Sequence, residues 1–195
     1  KGNNLFNFKL DLDDDFIEIG GGEGDLSNDL IKLGCNIVLF IEPDKKKYKI
    51  GLNKLKNVQC INVDISKIDF ANIPNKASNV TVIMQDVIEH ISKVKQKKFF
   101  HELKKKYKRV SLIGRTPNLK SPFGLRNSFG DNTHLHRFTD ISLKDFLIDL
   151  DFTNIYITSE PYQITGITSS IRYLPYLLSI YFISIIFLFV FGRWE

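Results

Sequence analysis

Five short apolar runs punctuate the first 115 residues: FIEIG (16–20), NIVLFIE (36–42), VQCINVD (58–64), VTVIMQD (80–86) and RVSLIGR (109–115). Their near-continuous apolar character predicts strands buried on both faces. Between them the pattern shifts to helical spacing. DLSNDLIKLG (25–34) repeats Leu26, Leu30, Ile31 and Leu33 at helical intervals and stops at Gly34. SKVKQKKFFHELKKKYK (92–108) turns Val94, Phe99, Phe100, Leu103 and Tyr107 to one face, with Ser92 as the N-cap. DISLKDFLIDLDF (140–152) predicts a further helix that turns into NIYITSE (154–160). This alternation predicts an α/β fold, a doubly wound, Rossmann-like and mostly parallel sheet.

Two stretches depart from the alternation. Residues 116–139 carry Pro117, Pro122, Gly124, Gly130, His134 and His136 with no periodicity, and read as a long functional loop. From Leu174 to Phe191 the run LPYLLSIYFISIIFLFVF has no charge and is flanked by Arg172 and Arg193. At 1.5 Å per residue such a run spans roughly 27 Å, close to a hydrocarbon core. With Tyr173, Tyr176, Tyr181 and Trp194 near its ends it predicts an apolar C-terminal helix over 170–195 that spans the membrane or lies in one leaflet. The competing reading is a buried helix of the domain. The organisation expected is one domain over 1–165, a substrate loop at 116–139 and a membrane-associating tail, on the cytoplasmic face of the membrane.

Composition adds little to this picture. Of 195 residues, 43% are hydrophobic and 25% charged, which suits one folded domain with a core. Lys1 opens the sequence, so no signal peptide is read from it. The net charge of +5 concentrates between Lys93 and Arg109, the pattern of a solvated helix face. Attraction to anionic headgroups or a phosphorylated substrate is the sharper alternative. No aromatic platform interleaves these lysines, so no nucleic-acid partner is expected. Cys35 and Cys60 form no CxxC pair and read as reduced core residues. Asp11 to Asp15 read as an exposed turn, and no metal ligand is assigned anywhere.

The chemistry begins at EIGGGEGD (18–25). A glycine turn between a first strand and a first helix lets a ligand lie against the backbone. Gly20, Gly22 and Gly24 are spaced G-x-G-x-G, and Asp25 stands where a dinucleotide fingerprint needs its third glycine. Glu18 precedes the turn and suits an ammonium group better than a pyrophosphate. Glu42 ends the second strand at the spacing that meets two ribose hydroxyls. Asp64 ends the third, where it can accept from an adenine amino group. The ligand described is a cationic nucleoside with an amino-acid end and no phosphates, which is S-adenosylmethionine.

At these residues the chain resembles the class I S-adenosylmethionine-dependent methyltransferases. EIGGGEG is similar to the family's first motif, FIEPD to its ribose-binding acid, NVDI to its adenine-side motif, and MQDVIEHI to its fourth, with the pair Glu89–His90. The resemblance covers roughly residues 14–160. It implies a cofactor site at Glu18, Gly20, Gly22, Gly24, Glu42, Pro43, Asp64, Ile65, Gln85 and Asp86. RTPNLKSPFGLRNSFGDNTHLHRFT further resembles a subgroup associated with bacterial surface-polysaccharide genes, which implies a sugar or glycan acceptor. No usual antiparallel last strand follows NIYITSE unless YQITGIT (162–168) supplies it, so six or seven strands are expected.

A sugar hydroxyl is a poor nucleophile and needs its proton removed. His134, in GDNTH, is the first candidate base, with Asp131 to orient it and His136 as a further candidate. The competing reading for each is a loop held by hydrogen bonds. His90, Arg115, Arg126 and Arg137 are candidate substrate ligands, the arginines for an anionic group such as a diphosphate. A lipid or quinone acceptor, which predicts an apolar pocket, and a non-catalytic binding role remain the alternatives.

Overall fold

The computed structural model describes residues 4–5, 8–159 and 187–194. A short hairpin of β1 (Asn4–Leu5) and β2 (Phe8–Lys9) leads into β3 (Asp15–Ile19), α1 (Asp25–Lys32), β4 (Asn36–Ile41), α2 (Lys45–Lys54) and β5 (Gln59–Ile61). After them come β6 (Asn79–Gln85), α3 (Lys93–Lys106), β7 (Arg109–Pro117), α4 (Pro122–Gly130), α5 (Asp140–Asp149), β8 (Thr153–Ser159) and β9 (Phe187–Trp194). Seven strands form one sheet in the order β5-β4-β3-β6-β7-β9-β8. The five from β5 to β7 are parallel, and β9 runs antiparallel to both β7 and β8.

The apolar runs are continuous because each strand feeds two cores. Alternate residues point to opposite faces. Ile17, Val82 and Leu112 join one cluster with Phe99, Phe100 and Leu103 of α3 and Leu143, Phe146 and Leu147 of α5. Phe16, Ile83 and Ile113 join the other with Leu30 of α1, over which Leu5 and Phe8 pack. A buried Phe or Leu of this kind contributes about 1.5–3 kcal/mol.

The chain steps outward from β3 to β5, then returns to the other side of β3 as β6. The carboxyl ends of β3 and β6 therefore flank the switch point at which doubly wound sheets bind ligands.

Several expectations are corrected. Among the described residues the sheet has seven strands, the larger of the two numbers expected, and its antiparallel strand is Phe187–Trp194; YQITGIT lies outside the described residues. The end of the uncharged run is thus a strand paired on both sides, from Val110↔Trp194 to Pro117↔Phe187 and from Thr153↔Arg193 to Ser159↔Leu188. That excludes a C-terminal helix continuous over 174–191. Residues 160–186 lie outside the described residues, and among those described no helix is long and apolar enough to cross a membrane. A run that is apolar at nearly every position carries no period, so a central strand and an apolar helix look alike in sequence.

The loop at 116–139 contains α4, opened by Ser121 and Pro122, where a missing N–H costs nothing. The helix α2 went unread because Ile50 and Leu52 face solvent and only Gly51 is buried. Val94 is exposed, and Ser92 stands at the N-cap of α3 without a side-chain bond. Cys35 is buried and Cys60 partly so, both as free thiols. Asp14 and Asp15 are not an exposed turn. Asp14 is buried against Arg109 (2.7 Å) and Thr81 (2.8 Å), and Asp15 takes Asn36 (2.7 Å) and the backbone N–H of Lys76 (2.8 Å).

Candidate active site

Residues 20–24 wrap over the end of β4, where the N–H groups of Gly20 and Gly21 donate to the Ile41 carbonyl at 2.8 and 3.3 Å. Gly20 has φ 66°, and a Cβ there would stand 2.4 Å from Val87. Gly22 has φ 58° with nothing within 4 Å of a Cβ, so its open side faces the cleft. This cleft is lined by Glu18, Gly20, Gly21, Gly22, Gln85 and Asp86. Glu18 is buried beneath the turn and accepts a hydrogen bond from Ser27 Oγ of α1. Burial pushes its carboxyl up to about 7, against the pull of that bond.

Glu42 takes the Gly22 N–H on Oε2 (2.8 Å) and the Asp44 N–H on Oε1 (2.7 Å). A carboxylate accepts about four hydrogen bonds, so each oxygen keeps capacity for one hydroxyl. Asp64 receives Ser66 N–H (2.9 Å), Ser66 Oγ (2.5 Å) and Lys95 (3.1 Å), all on Oδ1. Partial burial acts to raise its pKa, but these bonds outweigh it and hold the carboxyl below the usual range. Glu42, Pro43, Asp64 and Ile65 line a second cleft with Val63, Asp86, Val87 and His90. A glycine cradle with an acid beneath it, joined to an apolar slot with acids at its rim, fits a nucleoside with a cationic amino-acid end.

Asp86 holds the junction. It has φ 53°, a conformation that Asp tolerates better than most residues. Its N–H donates to the Arg115 carbonyl (2.9 Å), and the Arg115 guanidinium grips both carboxylate oxygens through Nε and Nη2. Asp86 also lines a third, open cleft of about 570 Å³ with Glu89, His90, Pro117, Arg126, Asn127, Gly130, Asp131 and His134. All three clefts meet at this one side chain.

In the third cleft, Glu89 is 1% exposed. Its Oε2 accepts from Thr116 Oγ1 (3.1 Å), and its Oε1 has no hydrogen-bond partner among the described residues. Burial pushes its carboxyl up to about 8. His134 Nδ1 lies 3.1 Å from the Ser128 carbonyl, which only accepts, so Nδ1 carries the proton and Nε2 the lone pair. That Nε2 stands 4.0 Å from Glu89 Oε1 and 3.9 Å from Asp131 Oδ2. The His90 and His134 rings meet edge to face at 4.5 Å. Burial, then the neighbouring His134, lower the pKa of His90. The N–H groups of Leu135 and His136 donate to the Glu89 carbonyl, which ties the returning loop to the end of β6.

The predicted residues divide clearly. Glu18, Gly20, Gly22, Gln85 and Asp86 line the first cleft, Glu42, Pro43, Asp64 and Ile65 the second, and His90, Arg126, Asp131 and His134 the third. Gly24 instead starts α1 and packs near Gly51 and Leu55. His136 turns into an aromatic cluster with Phe138 and Phe146, where burial lowers its pKa, and it lines none of the three clefts. Arg115 is occupied with Asp86. Arg137 donates to the Ser128 carbonyl (3.0 Å) and lies over Phe129 (4.5 Å), away from the third cleft. Ser27 is absent from the predicted set, and Glu89, named in the sequence only as the partner of His90 in the fourth motif, carries no role there.

Comparison with known proteins places this geometry. No protein-family model matches the chain. A curated rRNA adenine N-6-methyltransferase of Limosilactobacillus reuteri is 45% identical over 69 residues, which is 34% of this chain and 28% of that protein. The match therefore spans less than a third of the relative. Among solved structures, an S-adenosylmethionine-dependent methyltransferase of Archaeoglobus fulgidus superposes with TM-score 0.66 at 16% identity, over 92% of this chain and 86% of that one. One from Mesorhizobium loti gives 0.62 at 13%, over 94% and 93%. The fold is that of the S-adenosylmethionine-dependent methyltransferases.

Proposed function

We propose that this chain is an S-adenosylmethionine-dependent methyltransferase, and that its acceptor is a hydroxyl of a sugar or glycan intermediate. The observation that carries the reading is the meeting of three clefts at Asp86. One has an acid under a glycine cradle, one is a nucleoside slot, and one is lined mainly by polar side chains. When bound, S-adenosylmethionine supplies an electrophilic methyl on a sulfonium. The protein's part is alignment and removal of the acceptor's proton.

Glu42 receives the ribose hydroxyls on the lone pairs left by Gly22 and Asp44. Glu18 faces the ammonium end. Arg115 fixes Asp86 at the junction and so holds the wall between cofactor and acceptor. The acceptor hydroxyl is oriented in the third cleft beside Glu89 and His134, and it loses its proton there as the oxygen takes the methyl. Arg126, exposed at the rim, suits an anionic group on the acceptor.

The lining also bears on the rivals. A quinone or lipid acceptor wants apolar walls, and this cleft offers Glu, His, Asp, Asn and Arg. The rRNA adenine methyltransferase match points to a base acceptor. A flipped base is held by stacking between aromatic or apolar side chains, and among the described residues no phenyl, phenol or indole ring lines the cleft. The test is methyl transfer from labelled S-adenosylmethionine to a panel of nucleotide-sugars, lipid-linked sugars, quinols and RNA. Label in a sugar-containing product supports the reading; label only in RNA or quinol overturns the acceptor assignment.

A further inference from the structure

The sequence assigns no metal, yet the fold brings Glu89, His90 and His134 together so that one donor atom from each lies within 4.8 Å of the others. We propose that these three side chains bind a divalent first-row transition ion, which holds and acidifies the acceptor hydroxyl. This deepens the methyltransferase reading and rests on it for the role of the ion, though not for its binding.

The argument starts from two acceptors that face each other. His134 Nδ1 gives its proton to the Ser128 carbonyl, so Nε2 presents a lone pair. Opposite it stands Glu89 Oε1, buried and without a hydrogen-bond partner among the described residues. A hydrogen bond would draw the two to about 2.8 Å, whereas they lie 4.0 Å apart. Bonds of about 2.0–2.2 Å to a common ion put two ligands roughly 3–4.3 Å apart. The gap therefore suits a cation better than a proton.

The second histidine is prepared in the same way. Thr133 Oγ1 donates its one proton to Asp131 Oδ1 (2.6 Å), so at 2.9 Å from His90 Nδ1 it must accept. His90 is thereby also set as the Nδ1–H tautomer with a lone pair on Nε2. Metal-bound histidines are commonly oriented by such outer hydrogen bonds. Asp86, though close, is excluded from the ligand set because Arg115 holds both its oxygens.

One carboxylate oxygen and two imidazole nitrogens favour Mn²⁺, Co²⁺ or Zn²⁺ over Mg²⁺ or Ca²⁺. Three protein ligands leave coordination positions open toward the cleft. An acceptor hydroxyl bound there is acidified by the ion, as bound water is. Its proton passes to water or to Asp131 at the exposed rim. His134 then serves as a ligand.

The test is titration of the chelator-treated full chain with Co²⁺, followed by calorimetry and the visible absorption of the ion. One site per chain with nitrogen-ligated bands is expected. His134→Ala and His90→Ala should each weaken it by more than about 100-fold, and Thr133→Val by about 10-fold, the usual effect of an outer partner. Glu42→Gln should leave it unchanged. Wild-type protein that takes up no Co²⁺, or uptake that survives in His90→Ala and His134→Ala, overturns the inference. Transfer that persists without Co²⁺ uptake would sink the metal and leave the methyltransferase. Co²⁺ uptake in a chain that never binds S-adenosylmethionine would do the reverse.

Discussion

Two buried carboxylates end in adjoining clefts, and they are finished differently. Glu18 lies under the glycine turn with Ser27 Oγ donated to it. Glu89 lies under the 116–139 segment with Thr116 on one oxygen and, among the described residues, no hydrogen-bond partner on the other. Burial raises both toward neutrality, to about 7 and about 8. The first shapes a pocket wall and holds Ser27 from the first helix on one oxygen. The second keeps a free lone pair facing His134, which is the reactive side on the reading proposed above. A carboxylate that holds a ligand can be paired in advance, whereas one that does chemistry must keep an oxygen for it.

The largest way to break this comparison is to remove the open side. His134→Ala or Glu89→Gln should lower turnover by roughly 10² to 10⁴ while S-adenosylmethionine affinity stays within about two-fold. The loss should fall on turnover more than on acceptor affinity. Equal losses in cofactor binding would mean that the two carboxylates belong to one site.

Next is the pH dependence of stability carried by Glu18. Its folded pKa of about 7 exceeds the ordinary value of 4.5, so the folded state holds the proton more tightly. The stability this contributes is full below pH 4.5 and is lost as pH rises through 7, about 3 kcal/mol in all. Denaturant unfolding of Glu18→Gln against wild type from pH 5 to 8 should show the variant gaining most of that amount, about 2.5 kcal/mol. A constant difference across the range would place Glu18 in a wetter environment than the one described.

A smaller effect sharpens the contrast between the partners. Ser27→Ala should cost about 1–2 kcal/mol at pH 8, where Glu18 is ionised and loses its donor. Thr116→Val removes the corresponding donor from Glu89 and should cost a similar amount. The two variants differ in readout, because only Thr116→Val should also lower turnover. Equal turnover in both would erase the distinction between a wall and a reactive group.

The two halves of the site were not equally legible. Glu18, Glu42, Asp64 and Asp86 each sit at or near the end of an apolar strand, so strand topology alone delivers them to one edge. The third cleft depends on side chains from 86–90, 117 and 126–134, and only the fold shows that they converge. His136 looks like His134 in sequence, two residues away, yet it turns into the Phe138–Phe146 cluster. Arg115 looked like a free anion ligand and is spent on Asp86. The last strand was unreadable for a different reason: a run apolar on both faces has no periodicity to separate strand from helix.

The central claim is that the cradle from Glu18 to Gly24, with Glu42, is built for S-adenosylmethionine. Calorimetric titration of the full chain with S-adenosylmethionine tests it directly, with NADH as the rival ligand. One S-adenosylmethionine site per chain is predicted, weakened by about 2–3 kcal/mol, or roughly 30- to 150-fold, in Glu42→Ala. No heat with S-adenosylmethionine, or saturable binding of NADH in its place, would contradict the account.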